Sequence, residues 1–271
     1  MTRHPYPAEL YELVHRGTAG DVAFYQRACV DANGVLELGC GYGRVLSALT
    51  GRCAPLTGLD IDPELLARAS LRLGKVDGLR LVQADMRGFD RADTFAPAAG
   101  FDRILIPYSG VYCLPDEAAC VACFQSCAAQ LAAGGCLIFD AYAADAFHRD
   151  ENPGDHADER LDPIVSVEIE GRSYDVFERS RWDRHLQQLD VTYEYIPRGG
   201  GEALQGRLLH HYLLRSQIAP LLERAGLRLH SLHGDWRGHP SSSESDMWVA
   251  TARHGEDEAD SPSSPSSSPA C

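Results

Sequence analysis

Glu37, Gly39, Gly41, Gly43, Asp60 and Asp85 are the residues whose types and spacing suit chemistry best. Residues 35–38 read as a short buried strand, interrupted by Glu37, that runs into alternating glycines and then a helix. Such a loop leaves backbone N–H groups at the helix start, and with no Cβ in the way it can come very close to a ligand. A strand–loop–helix that binds an adenosine also needs an acid about 20 residues on, at the end of the next strand, to accept from the ribose hydroxyls. Residues 56–60 supply that strand, ending in Asp60, and Asp62 and Pro63 then read as the N-cap and first position of a helix. A third strand at 79–84 ends in Asp85 and Met86, and residues 101–106 read as a fourth.

The dinucleotide fingerprint Gly-x-Gly-x-x-Gly has a glycine where this chain has Arg44. That departure, and the lack of a second nucleotide-binding half, weigh against an NAD-dependent oxidoreductase. The pattern Glu-x-Gly-x-Gly-x-Gly, with Asp60 and Asp85 behind it, resembles the class I S-adenosylmethionine-dependent methyltransferases of the small-molecule type. The strict motifs occupy the first half of the chain, and the likeness in architecture runs from about Tyr6 to about Arg253. The resemblance implies an α/β, Rossmann-like fold: a seven-stranded, mostly parallel sheet of order 3-2-1-4-5-7-6 with helices on both faces. It also implies S-adenosylmethionine as cofactor. Gly39, Cys40, Gly41 and Gly43 would then let the backbone approach its methionine part, with Glu37 behind the loop. Asp60 would take the ribose, Ile61 would pack on the adenine, and Asp85 and Met86 would meet the adenine edge. Tyr11 belongs to an N-terminal segment that in such proteins folds over the cofactor as a lid; the alternative is a helix pair that only covers the sheet. A non-catalytic S-adenosylmethionine-binding protein is the other reading, made less attractive by the retained Glu37, Asp60 and Asp85.

Methyl transfer from a sulfonium is an in-line displacement in which alignment supplies most of the rate, roughly 7–11 kcal/mol. A dedicated catalytic motif is not required, and none stands out. Residues 107–113, after the fourth strand, face the methyl group in this fold. Relatives often carry Asn or His there, whereas this chain has Ser109 and Cys113. Tyr108 and Tyr112 can line the acceptor pocket or simply pack, and Asp140 and Tyr142 end the fifth strand at the same edge. His210 and His211 are the general-base candidates by residue type, and strand alternation lets only one of them face the pocket. His233 is a further candidate.

The remaining chain must position these groups. Residues 8–30 read as two helices broken at 17–20; strand and helix alternate from 34 to 142; residues 115–132 read as one helix ended by Gly134 and Gly135, and 136–140 as the fifth strand. Residues 144–163 read as a solvated acidic loop. The segments 164–169, 173–182, 186–196 and 208–214 alternate like a half-buried antiparallel sheet, an insertion similar to those of glycine N-methyltransferase and amino-sugar N-methyltransferases. Residues 217–225 read as the last helix, capped by Gly226, and 227–232 and 247–252 as a closing hairpin. The expected organisation is a helical lid at 1–33, a cofactor-binding domain at 34–143 and 216–253, a β insertion over the acceptor site at 144–215, and a disordered tail at 254–271.

The 271 residues carry a formal charge of −14 with no Lys/Arg cluster, which argues against a nucleic-acid partner and for a small-molecule acceptor. No apolar run is long enough to span a membrane and no secretory leader is evident, so a cytoplasmic protein is expected; a homo-oligomer is left open. The nine cysteines are scattered and odd in number, which favours reduced thiols. Cys120, Cys123 and Cys127 fall on one helical stripe and are expected to pack as small apolar residues, with no metal.

Overall fold

The computed structural model describes residues 6–94, 96–149 and 161–255. The sequence-predicted tail lies outside them, apart from its first two residues. Eleven strands form two sheets among the described residues. The larger holds β1 (Val35–Leu38), β2 (Leu56–Asp60), β3 (Leu79–Gln83), β4 (Phe101–Ile106), β5 (Leu131–Tyr142), β10 (Leu227–His233) and β11 (Met247–His254). Its order is β10-β11-β5-β4-β1-β2-β3, which in the family's numbering is the expected 3-2-1-4-5-7-6. Only β11 runs antiparallel to its neighbours. β1 and β2 are buried at every position, as strands covered on both faces must be.

Helices connect these strands. In α4 (Pro63–Leu73) the Asp62 carboxylate accepts from the N–H groups of Glu64 and Leu65, and Pro63 opens the first turn. In α6 (Glu117–Gln130) Asp116 accepts from the N–H of Ala119. The stripe of Cys120, Cys123, Phe124 and Cys127 is fully buried against the sheet, so these thiols serve as small core residues. The N-terminal segment forms α1 (Ala8–Val14) and α2 (Asp21–Ala28), parted at the expected glycines.

Three readings are corrected. The helix over 115–132 is shorter, because the chain turns extended at Leu131 and β5 begins there; Gly134 and Gly135 lie within that strand. A Cβ on Gly135 would stand 2.8 Å from the Phe101 carbonyl oxygen, so this glycine serves close strand packing and not helix termination. The acidic segment after Ala143 contains a helix, α7 (Asp145–Arg149), since Phe147 finds Trp182 at 4.0 Å and Tyr212 at 5.4 Å. The last strand of the insertion is Leu204–His211, earlier in the chain than the 208–214 pattern suggested, and Tyr212 and Leu213 are buried in the link to α8 (Arg215–Arg224).

The insertion is a four-stranded antiparallel sheet of β6 (Asp162–Ile169), β7 (Arg172–Asp183), β8 (Gln188–Pro197) and β9 (Leu204–His211) in sequence order. Its alternation is plain: Leu189, Val191, Tyr193 and Tyr195 are buried, with more exposed residues between. The buried face reaches α1, where the Tyr6 and Tyr195 hydroxyls share a hydrogen bond of 2.8 Å and Tyr195 donates to the Leu10 carbonyl at 2.8 Å.

Gly100 marks where β4 and β5 are tightest. It has φ +99°, and a Cβ would stand 2.7 Å from both the Gln130 carbonyl oxygen and the Ala132 nitrogen. Gly100→Ala should destabilise by roughly 1–3 kcal/mol of overpacking with about 1–2 kcal/mol more from the left-handed backbone. A urea midpoint that falls with unchanged slope is the expected readout.

Candidate active site

The strand order reverses direction between β1 and β4, and in open α/β sheets the crevice beyond the carboxyl ends of such a pair is the natural ligand site. Gly39, Gly41 and Gly43 follow β1 with φ of 64°, 53° and 77°. A Cβ at Gly39 or Gly41 would meet nothing within 4 Å, so the space before the loop is open; at Gly43 it would meet Leu73 and Ala69 of α4 at 3.0 and 3.2 Å. The first two glycines thus leave room for a ligand, and the third serves helix packing. The Cys40 side chain is buried beneath the loop, so only its backbone can face the crevice.

Asp60 ties this loop to the next. One carboxylate oxygen accepts from the Gly41 N–H at 2.7 Å, the other from the Asp62 N–H at 2.9 Å. A carboxylate has about four lone-pair sites, so acceptor capacity for a diol remains. Ile61, next in sequence, is half exposed, a large apolar side chain beside a buried acid. Glu37 lies deeper: it is 2% exposed, and its Oε2 has no hydrogen-bond partner. Burial pushes its carboxyl up to about 8, against the pull of Arg44. An open glycine cradle, a half-used carboxylate and an orphaned buried acceptor together fit a ligand that carries both a diol and an ammonium.

Asp85 stands differently. Its two oxygens accept from the Arg87 side chain, and one also from the Arg87 N–H at 2.9 Å. Met86 is half-buried and packs against the core. Tyr11, on α1, is stacked on His15 at 4.3 Å and lies 6.5 Å from Tyr42.

Sequence reasoning missed Asp21 and Arg44 as a pair. Arg44 holds both Asp21 oxygens, at 3.0 and 2.7 Å, which pins α2 to the helix after the glycine loop, α3 (Arg44–Leu49). Gly17 is needed for this, since a Cβ there would lie 2.2 Å from the guanidinium. Arg44 also lies 5.5 Å from the Tyr108 ring. The lone Arg at the missing third glycine was the available signal, but its partner was not readable.

Tyr108 and Ser109 both have φ 55°, unusual for residues with side chains. Asp140 holds them there. Its carboxylate accepts from the Tyr108 N–H at 3.1 Å and from the Tyr25 hydroxyl, and its carbonyl accepts from the Ser109 N–H at 3.1 Å. Tyr112 is fully buried, and its hydroxyl donates to the carbonyls of Tyr142 and Leu213, so it packs. Of the histidine pair, His210 reaches the site's edge, its Nδ1 3.3 Å from the Tyr142 hydroxyl. His211 is on the opposite face of β9, near Asp116 and Glu117 of α6, and is not brought to the crevice. His233 closes β10 in a bridge to Pro240. His15, which the sequence did not single out, is buried among Tyr6, Tyr11, Tyr108 and Tyr193 with no partner for Nε2.

Residues 35–135 match the family model described as a methyltransferase domain. The amino pentose methyltransferase CalS10 from Micromonospora echinaspora, solved with its cofactor bound, is 25% identical, with TM-score 0.61 over 87% of this chain and 92% of that one. Residues 35–135 are thus a methyltransferase domain, as the resemblance implied. The fold is shared by CcbJ from Streptomyces caelestis (20% identity, TM-score 0.69, 87% and 89% covered). It is also shared by the sugar N-methyltransferase KedS8 from Streptoalloteichus sp (20%, 0.64, 86% and 86%). Nodulation protein S of Bradyrhizobium diazoefficiens is 28% identical over 109 residues, 40% of this chain; the match spans about half, 49%, of that relative. The dinucleotide alternative is thereby set aside. No helix among the described residues is long and apolar enough to cross a membrane.

The buried acids make the protein's stability depend on pH. Burial raises Asp140 to about 6 and Glu37 to about 8, while in the unfolded chain both lose their protons near pH 4. Between those values the folded state keeps protons that the unfolded chain has lost. Their contribution to stability is therefore complete below about pH 4 and is lost as pH rises through about 6 and then about 8. Glu37→Gln should flatten the upper part of this decline, gaining stability over wild type as pH rises through about 8 and little near pH 4. Urea titrations across pH check it.

Proposed function

We propose that the protein transfers a methyl group from S-adenosylmethionine to a nitrogen of a small-molecule acceptor, with oxygen as the other acceptor atom that the residues allow. The observation that carries this is the convergence of the open Gly39–Gly41 loop, the half-used Asp60 carboxylate and the unpartnered Glu37 oxygen at one switch point, within a matched methyltransferase domain. Bound there, the cofactor would supply a methyl group on a sulfonium, with its leaving group built in. Asp60 accepts from the ribose hydroxyls and Ile61 covers the adenine. Glu37 takes the ammonium, and Tyr11 closes the site from the N-terminal lid. Asp85 and Met86 meet the adenine edge, which requires Asp85 to share its oxygens with Arg87 or to exchange partners. Tyr108, held by Asp140, orients the acceptor, and His210 stands at the rim. Nitrogen is favoured because an amino pentose methyltransferase and a sugar N-methyltransferase share the fold over 87% and 86% of this chain. The antiparallel sheet of β6–β9 then roofs the acceptor site.

Titration with S-adenosylhomocysteine tests the cofactor assignments. Asp60→Ala should weaken binding by roughly 1.5–3 kcal/mol, the scale of hydrogen bonds to a charged group, with Asp60→Asn in between; unchanged affinity would refute the ribose assignment. Glu37 gives a second readout. An ammonium beside it favours the carboxylate, so cofactor uptake near pH 7 should release up to about one proton. Calorimetry in buffers of different ionisation enthalpy should detect this in wild type and not in Glu37→Gln.

A further inference from the structure

Glu178 has no part in the cofactor site, yet it lies on the face of the insertion that looks toward it. Alternation along β7 puts Tyr174, Val176, Glu178, Ser180 and Trp182 on one side. Tyr174 and Val176 are buried in the same core as Leu38, Ile106 and Tyr112, and Trp182 packs against that core, so this side faces the methyltransferase domain. Directly across the ladder from Glu178 is Tyr193. That ring lies 5.6 Å from Tyr6 and 4.9 Å from His15, and His15 in turn lies 6.1 Å from Tyr108. Ser180, two residues along the same face, donates to one Glu178 oxygen at 2.8 Å. Burial, then Glu178, pushes the Tyr193 phenol up, and Glu178 adds to the upward shift that burial gives Tyr108 and Tyr142. The half-buried carboxylate therefore stands within electrostatic reach of tyrosines from the insertion, the loop after β4 and the end of β5.

The positive groups around it do not compete. Arg44 is held by both oxygens of Asp21. Burial lowers His15 to about 3 and His210 to about 4, so both imidazoles are neutral near pH 7. Arg179 belongs to the other face of β7 and pairs with Glu194. What remains is one carboxylate among aromatic rings, beside neutral imidazoles. Aromatic faces attract cations, and a carboxylate accepts strongly from an ammonium or amine N–H while repelling carboxylates and phosphates.

We propose that Glu178 binds the amino group of the methyl acceptor, taking a hydrogen bond from its N–H between the rings of Tyr108, Tyr142 and Tyr193; this rests on the methyltransferase reading above. Glu178 is then the residue that distinguishes an amine from the alcohol of the same shape. An alcohol can still donate to it, but without the added attraction of a cation.

The test uses matched probes, glucosamine against glucose and cyclohexylamine against cyclohexanol, titrated calorimetrically into the full chain saturated with S-adenosylhomocysteine. Wild type should bind each amine about tenfold or more tighter than its alcohol, the worth of a charged hydrogen bond. Glu178→Gln, which keeps the shape, should abolish most of that preference while leaving S-adenosylhomocysteine affinity within about twofold. Glu178→Asp should keep part of it. An amine preference that survives Glu178→Gln, or a wild type that takes up S-adenosylhomocysteine but shows no preference, overturns the proposal and leaves the methyltransferase reading standing. A wild type that takes up no S-adenosylhomocysteine overturns both.

Discussion

Glu37, Asp60 and Asp140 are all buried along the carboxyl edge of one sheet, and taking a carboxylate out of water is costly unless its oxygens are satisfied. Much of the local architecture answers that cost. Asp60 is met by N–H groups from the glycine loop and from the start of α4. Asp140 is met by the Tyr108 N–H and the Tyr25 hydroxyl. These bonds draw in elements distant in sequence: α2, two loops, and the strands that carry the acids. Glu37 is the exception, with one oxygen left over, and it lies where the resemblance puts the cofactor's ammonium.

Electrostatics explains why α2 sits where it does. Asp21 at the start of α2 meets Arg44 at the start of α3 in a bidentate pair, and its side chain is 3% exposed. A buried pair of this kind is costly to break, because each partner would be left uncompensated. α2 is thus joined to the glycine loop by charge and to β5 through Tyr25 and Asp140. Tyr108 is caught between these attachments, its ring beside Arg44 and its backbone held in the left-handed region by Asp140. A side chain fixed from both sides is well suited to orienting a substrate.

The site's legibility was uneven. The glycine loop, Asp60 and the N-cap Asp62 could be read because they are local, each following from a strand end and a helix start within a few residues. The insertion could be read as antiparallel because alternation shows in sequence. The end of α6 and the start of β5 could not, since Leu131 turns extended against Phe101 of β4 and that pairing is non-local. α7 was missed for a similar reason: its short, acidic sequence has little apolar pattern, and Phe147 gains its partners from the end of β5, from β7 and from the link after β9. His210 and His211 were correctly read as opposed in direction, but the strand alone does not say which one points inward.

Composition and local pattern alone determined the α/β class, the strand that ends in glycines, the acids that follow it at the right intervals, and the existence of a second sheet. These depend on periodicity and turn chemistry, which act over a few residues. The tertiary structure alone decided that Arg44 pairs with Asp21, that His15 is buried uncharged among four tyrosines, and that Tyr193, the ladder partner of Glu178, lies against His15. Each joins residues far apart in the chain. The register of the insertion over the N-terminal helices fixes them, through the Tyr6–Tyr195 contact and the packing of two sheets, and no spacing in the sequence encodes that register.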